Sequence, residues 1–329
     1  MVVEGFINVS GESTIRLSRS KNFGDSGMYL PVNGAAVVIE SEGQQQFPLL
    51  ETASGNYISF INNLDPSQKY RLKIAVNGKQ YESTFETPEI TSPIDSIAWT
   101  NSGSSVDLTL HSQGNVNERY FLFSFEETWE FKSKYEAFYK YENGAVVGRP
   151  REEIAAIYTC WKSRPSTNIL TIATVNYNPN KIVFPLLSII PGDQRLSFRY
   201  SMLVNKIAVS RKAYEFYQLI KRNTESTGSI FGPLPSEVVG NITCVTDPEE
   251  LIIGYVSVSS QQQQRIFIPK QWDYIYGCVD QYVDAKDIHT YFPNYIPYAE
   301  KGFGEGYFSA PADCMDCTLR GTNRRPAFW

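Results

Sequence analysis

Histidine is almost missing from this chain: His111 and His289 are the only two in 329 residues. A triad hydrolase needs an imidazole beside its nucleophile, so only these positions could supply one. His111 sits in an alternating strand pattern and His289 in a Tyr- and Asp-rich stretch, both ordinary structural settings. Long apolar runs are also missing, and none approaches the ~18 residues of a spanning helix. Basic blocks are missing too. With both signs mixed along a chain of net charge −5, no footprint for nucleic acid is present, and Arg324-Arg325 reads as a solvated turn. No leader pattern precedes the strand-like VVEGFINVS. The chain is therefore read either as cytosolic or as one whose targeting segment has been removed.

Several catalytic patterns fail in the same way. No Gly-x-Ser-x-Gly elbow precedes a helix. Ser18-Arg19-Ser20-Lys21 matches the Ser-x-x-Lys of penicillin-binding enzymes, but Ser18 ends a strand and the companion motifs are absent. Gly302, Gly304 and Gly306 lack the strand-then-helix setting of a phosphate loop and read as an aromatic loop. Asp280, Asp284 and Asp287 lack the glycine and final glutamate of a calcium loop and read as a solvated acidic face. No metal or other cofactor is expected.

What the chain has is aromatic weight: 21 tyrosines and 19 phenylalanines, which favour strands. Residues 2–88 read as seven short strands separated by Gly, Pro and Asn-Gly punctuation, the spacing of a sandwich of roughly 90 residues. Asn77-Gly78 between alternating runs predicts a type I′ hairpin. TPEITSPIDS then marks a boundary. Beyond it lie a long aromatic-faced strand at RYFLFSFEETWEF and further strands at NILTIATVNY, RLSFRYSMLVNKIAVS, ELIIGYVSVSS and QRIFI, the last two broken by a loop tip at 261–264. Ser210 caps a helix expected over 211–224, with Ala213, Phe216, Tyr217 and Ile220 as its apolar stripe. The fold class is mainly β: an N-terminal Ig-like or transthyretin-like sandwich over 1–90, then a larger β-rich sandwich domain over 91–329 with one amphipathic helix.

The cysteines are Cys160, Cys244, Cys278, Cys314 and Cys317. Five leave one over, so two bridges and one free or buried thiol are expected, in an oxidising compartment. Cys314 and Cys317 have no second pair to complete a zinc site and no βαβ context for redox work. One of them is expected to bridge to Cys278, because the stretch between is loop-like; the connectivity stays open. A chain ending on Phe328-Trp329 is expected to dock that end into something.

Three stretches, 134–144, 272–277 and 289–308, read as aromatic loops. Rings with a polar handle favour interfaces. The partner surface is expected at Trp272, Tyr274, Tyr276, Tyr291, Phe292, Tyr295, Tyr298, Phe303 and Tyr307, against the alternative that these rings cover sandwich edges.

The strings VVEGFI, TIRLSRS, SPIDSI, RYSMLVNKIAVSRKAYEFYQLIKRNTESTGSIFGPLPSEVVGNI, IIGYVSVSS, RIFI and CMDCTLRGTNRRPAFW resemble the Bacteroidota surface-lipoprotein family catalogued as a domain of unknown function, number 4249. The resemblance spans nearly the whole chain. It implies a non-enzymatic lipoprotein on the cell-surface face of the outer membrane, encoded beside a TonB-dependent receptor. Such a protein would act as accessory or substrate-capturing partner of that transporter. Family members carry a lipid-bearing cysteine upstream of the segment where Met1 stands here, so membrane association is expected through an N-terminal lipid outside this sequence. Two adjacent glycines usual near the end are Gly321-Thr322 here. In that lineage Asp95-Ser96-Ile97 matches an O-glycosylation pattern, with Ser96 as acceptor. Alternatives are a structural subunit of a larger outer-membrane assembly and a glycan-acting enzyme using Glu126, Glu127 and Glu130.

Overall fold

The computed structural model describes residues 1–19, 30–61, 63–114, 118–175, 181–226, 238–302 and 305–329, the side chains of 225 and 226 excepted. It is mainly β, as the aromatic and β-branched runs predict. Ser20 and Lys21, with the Ser-x-x-Lys pattern they complete, lie outside the described residues, as do Phe303 and Gly304.

The first strand system runs in the order Ile242–Cys244, Lys79–Ser83, Tyr70–Val76, Ala36–Ser41, Gln46–Ala53, Asn56–Ser59, Ser13–Arg19, Val2–Asn8, Ser257–Ser259. Alternate residues from both ends of this series meet in one core. Ile7, Ile15 and Leu17 lie with Ile39, Tyr57, Leu72, Ile74 and Ile242, so the system closes on itself as a sandwich. Asn77 and Gly78 both have positive φ, 51° and 74°, the type I′ geometry that the dipeptide predicts. The expected unit of 1–90 needs one correction. Both end strands of the series come from 242–259, with Phe6 beside Ser257 in parallel and Ile242 opposite Ser83. The returning segment fits because Gly240 and Gly254 carry no side chain: a Cβ on Gly240 would stand 1.7 Å from the Gly254 carbonyl oxygen. ELIIGYVSVSS is therefore a crossing segment with one short strand and not a continuous strand.

The second sandwich packs three strands, Ile182–Ile189, Val106–Ser112 and Ile94–Asn101, against a sheet ordered Thr159–Pro165, Tyr120–Lys132, Tyr200–Ala208, Gln261–Ile268. Period-two alternation sends Phe121, Phe123, Phe125, Trp129 and Phe131 of the long strand inward. The expected loop tip at 261–264 is corrected: the glutamines form the outer strand of this sheet, paired residue by residue with Val204–Ile207. Their side chains are mostly half-exposed, and Gln263 donates to Asn205 at 2.7 Å. Backbone pairing to a central strand sets their conformation, and at a sheet edge a polar side chain is tolerated.

The outer face of this sheet is covered at both ends. The helix Arg211–Ser226 covers one, with Ala213 and Phe216 buried beside Ile207 and Val209. Ser210 Oγ accepts from the Ala213 amide at 3.2 Å, the expected cap. The C-terminal tail covers the other end. Trp329 meets Phe267 edge-on at 5.9 Å, and the Arg265 guanidinium stands 3.4 Å from the Phe328 ring centre. The terminal Phe-Trp pair thus docks on its own chain. Thr322 also exchanges backbone bonds with Trp161, shielding the edge strand Thr159–Pro165.

A buried polar cluster ties the linker before Ile94–Asn101 to the second sandwich. Lys206, fully buried, donates from Nζ to the Ser92 carbonyl (2.9 Å), Ser92 Oγ (2.8 Å) and Ser112 Oγ (2.6 Å). The Glu118 carboxylate accepts from Ser92 Oγ at 2.8 Å. Burial lowers the Lys206 pKa to about 8, with Glu118 and Asp95 resisting. The unfolded chain keeps this proton to the ordinary lysine range, and the folded chain releases it near 8. Raising pH from 7.5 to 9.5 is therefore expected to stabilise the fold by about 2 kcal/mol relative to Lys206→Met, read as a widening gap between the urea midpoints of the two proteins. Above that window the trend reverses. Buried tyrosines such as Tyr200, with pKa values raised by burial, hold protons that the unfolded chain gives up.

Candidate partner-binding surface

The residues expected to bind a partner gather in a third, smaller unit built from 134–158 and 270–316. Gly306–Pro311 is the central strand of a three-stranded antiparallel sheet, flanked by Gln281–Asp284 and Tyr295–Lys301. A hairpin, Tyr139–Glu142 with Ala145–Gly148, and the helix Arg151–Tyr158 lie beside it. Two expected loops are thus corrected: Tyr139–Glu142 within 134–144, and Tyr295–Lys301 with the start of Gly306–Pro311 within 289–308, are strands. Tyr- and Phe-rich segments fit a pleated sheet. The sign of the hairpin was Asn143-Gly144, with φ of 53° and 82°, a second type I′ dipeptide.

One disulfide braces the unit and a second lies at its base. Cys278 bonds Cys314 and Cys160 bonds Cys317, leaving Cys244 free and buried in the N-terminal core. This is the expected count, with Cys278 joined to one of the close pair. The remaining half of that pair ties the tail to the second sandwich.

The expected contact rings divide three ways. Tyr307 is a correction: it is 9% exposed, in a small core with Val283 and Ile288, because its position on the central strand faces the packed side. Tyr298 is held as well. It stacks on Tyr135 at 4.3 Å and 5°, and its hydroxyl donates to Asp280 at 2.7 Å. Burial and the Asp280 carboxylate raise its pKa. Truncating it would strike the packing of the unit as well as any interface. Trp272 donates from Nε1 to the Asp193 carbonyl at 2.8 Å, and Tyr276 from its hydroxyl to the Lys132 carbonyl at 3.1 Å. Tyr274 meets Tyr276 edge-on at 4.9 Å. Tyr291 remains 41% exposed, edge-on to the half-buried Tyr295, while Phe292 leans on Tyr141. Sequence reasoning missed the most exposed apolar side chains, Ile275 (87%) and Val279 (75%), and also Phe138 (49%). The first two lie between inward residues at a period of two, a pattern visible in WDYIYGCVD.

Groups that could do chemistry stay apart. Glu126 and Glu130 are four apart on one face of a strand, about 13 Å, beyond the carboxylate spacings of glycosidases. Glu127 points into the sandwich, where Arg164, Arg195 and Tyr200 bond its carboxylate. His111 is half-buried on a strand and His289 exposed. Among the described residues no cluster of three or more His, Cys, Asp or Glu could hold a metal. Asp280 is engaged by Tyr135 and Tyr298 instead. Ser96 is exposed on the strand Ile94–Asn101, at the edge of its sheet.

A cavity of about 490 Å³ lies between the helix Arg211–Ser226 and the first strand, lined by Val3, Phe216, Tyr217, Ile220 and Tyr255 among others. Burial, helped by Glu4, pushes the Tyr217 phenol up to about 12. It holds an apolar wall and no acid–base pair beyond Glu4 and Lys221 among its lining residues.

A family model described as a domain of unknown function (DUF4249) matches residues 1–265. The disulfide-tied stretch from Cys278 onward lies outside that match. No curated protein matches the chain. Among solved structures, a two-domain fibronectin type-III segment of chicken tenascin aligns at 11% identity, covering 63% of this chain and 89% of that one, with a TM-score of 0.18. A DUF4785 family protein of Legionella pneumophila aligns at 12% identity, covering 63% and 52%, with a TM-score of 0.20.

Proposed function

This chain belongs to the family described as a domain of unknown function (DUF4249), and from that premise we propose that it is a non-enzymatic surface lipoprotein of a Bacteroidota outer membrane, acting as accessory or substrate-capturing partner of a TonB-dependent transporter. The carrying observation is the small unit, braced by one disulfide with a second at its base, which exposes Phe138, Ile275, Val279, Tyr282 and Tyr291. Large apolar side chains left in water on a braced support mark an interaction surface, and disulfides suit an extracytoplasmic site. The anchor is an N-terminal lipid, and Ser96 is the proposed glycan acceptor.

The test is affinity purification of the tagged chain from detergent-solubilised envelopes. A TonB-dependent receptor should be recovered in near-equal amount. Phe138→Ala with Tyr291→Ala should lower its recovery at least tenfold, since anchor rings at an interface each carry about 1–2 kcal/mol or more. A chain recovered without any receptor, or one that degrades a polysaccharide, would overturn this reading.

A further inference from the structure

Among the described residues, no strand pairs with the segment 272–280. Its side chains alternate. Trp272, Tyr274, Tyr276 and Cys278 are half-buried, while Asp273, Ile275, Gly277 and Val279 are exposed. That period of two is a strand's, yet the segment belongs to no sheet. Among the described residues, no backbone N–H from 272 to 279 donates to another backbone carbonyl, and of their carbonyls only that of Cys278 accepts, from Lys134 Nζ at 3.3 Å. Both ends are fixed, by the Trp272 indole on the Asp193 carbonyl and by the Cys278–Cys314 disulfide. Between them the Tyr276 hydroxyl holds the Lys132 carbonyl.

Proteins blunt exposed edges with charge, proline, bulges or covering chain. Here the outward row offers Ile275 and Val279 instead, 87% and 75% exposed. The tail covers the edge strand at Trp161, but no described element covers this segment in the same way. We infer that the segment 272–280 receives a β-strand from a partner polypeptide. The inference rests on the reading that this unit is the partner-binding surface.

The outward row specifies the incoming strand. Apolar residues belong opposite Ile275 and Val279. Nothing lies within 4 Å of where a Cβ on Gly277 would stand, so a large ring fits opposite it. Asp273 already pairs with Lys270 of its own chain, so an ordinary polar residue or a lysine fits opposite it. Backbone pairing supplies affinity and the alternate side chains supply choice.

The probe is the blocked heptapeptide Val-Thr-Tyr-Thr-Val-Thr-Lys, which in antiparallel register sets Val, Tyr, Val and Lys opposite Val279, Gly277, Ile275 and Asp273. In the free full-length protein, the 273–279 amides should exchange hydrogen near the rate of an unstructured chain. The peptide should slow them at least tenfold. Of two peptides N-methylated on alternate residues, only the one methylated on its pairing edge should lose binding. Ile275→Asp with Val279→Asp should weaken binding at least tenfold, with thermal unfolding unchanged because both side chains are exposed.

Amides already protected in the free monomer would overturn the inference, as would a peptide that does not bind or one that binds despite methylation on either edge. A dimer that the same two substitutions dissociate would make the occupant a second copy and overturn it too. If the receptor co-purifies while the peptide fails, strand addition falls and the proposed function stands.

Discussion

Replacing Cys160 and Cys317 together by alanine is expected to lower stability by about 5 kcal/mol, through the loss of a bridge that closes a very long loop. The two residues are 157 apart in sequence and fully buried. Closing so long a loop removes much of the unfolded chain's freedom. The native state loses a tie as well. Cys160 lies on the strand Thr159–Pro165, opposite Phe131, and Cys317 opens the turn from which the tail leaves. Past that turn the tail is held by the Thr322–Trp161 pair, a bond from the Asn323 side-chain amide to the Ala156 carbonyl at 2.8 Å, and the contacts of Phe328 and Trp329. Urea unfolding would show the lower midpoint, and limited trypsin should cut first in the variant at Arg320 or Arg324. Cys278→Ala with Cys314→Ala opens a loop whose ends are only 36 apart and should cost less, about 4 kcal/mol by the same loop argument. A drop below about 1 kcal/mol in the first variant would mean that packing alone holds the tail.

Glu127→Ala is the second large effect, with an expected loss of about 3–5 kcal/mol. The Glu127 side chain is 2% exposed and accepts from Arg164 at 2.8 Å, from Arg195 at 2.6 Å and from the Tyr200 hydroxyl at 2.9 Å. Burial works against the Arg195 charge, but Asp193 and Glu127 outweigh it and its pKa is raised. Removing the carboxylate leaves a cation, 13% exposed, with Asp193 alone and leaves a buried phenol without its acceptor. Breaking a buried pair from one side costs far more than the pair's net worth. Glu127→Gln keeps one acceptor and should lose roughly half as much. Glu126→Ala and Glu130→Ala, on the outer face, should each stay within about 0.5–1 kcal/mol. Equal losses at all three positions in urea titrations would remove the distinction between inner and outer carboxylates.

The local rules were legible along the chain. Asn77-Gly78 specifies a type I′ hairpin because both of its residues accept positive φ, and the structure has it there. Ser210 and the stripe Ala213, Phe216, Tyr217 and Ile220 specify a capped helix, and it forms. Asn143-Gly144 carries the same hairpin signal inside a Tyr-rich stretch, and a hairpin forms there. Cysteine count and spacing indicated two bridges, one of them to Cys278.

What the sequence by itself determined was therefore what depends on near neighbours: strand alternation, turn chemistry, the helix and its cap, and the number of thiols left over. Only the tertiary structure decided where distant pieces meet. The strands Ile242–Cys244 and Ser257–Ser259 end the first sandwich because they bury Ile242 and Val258 in its core, a choice that no local window encodes. The glutamines are a strand because a central strand pairs with them, which outweighs their weak intrinsic preference. Glu127 and Glu126 are adjacent in sequence, and the pleat alone sends one into the core and the other outward. Whether a ring is cover or contact was decided likewise, since burial belongs to the surroundings: Tyr307 went inside, while Ile275 and Val279, unremarkable as letters, were left in water.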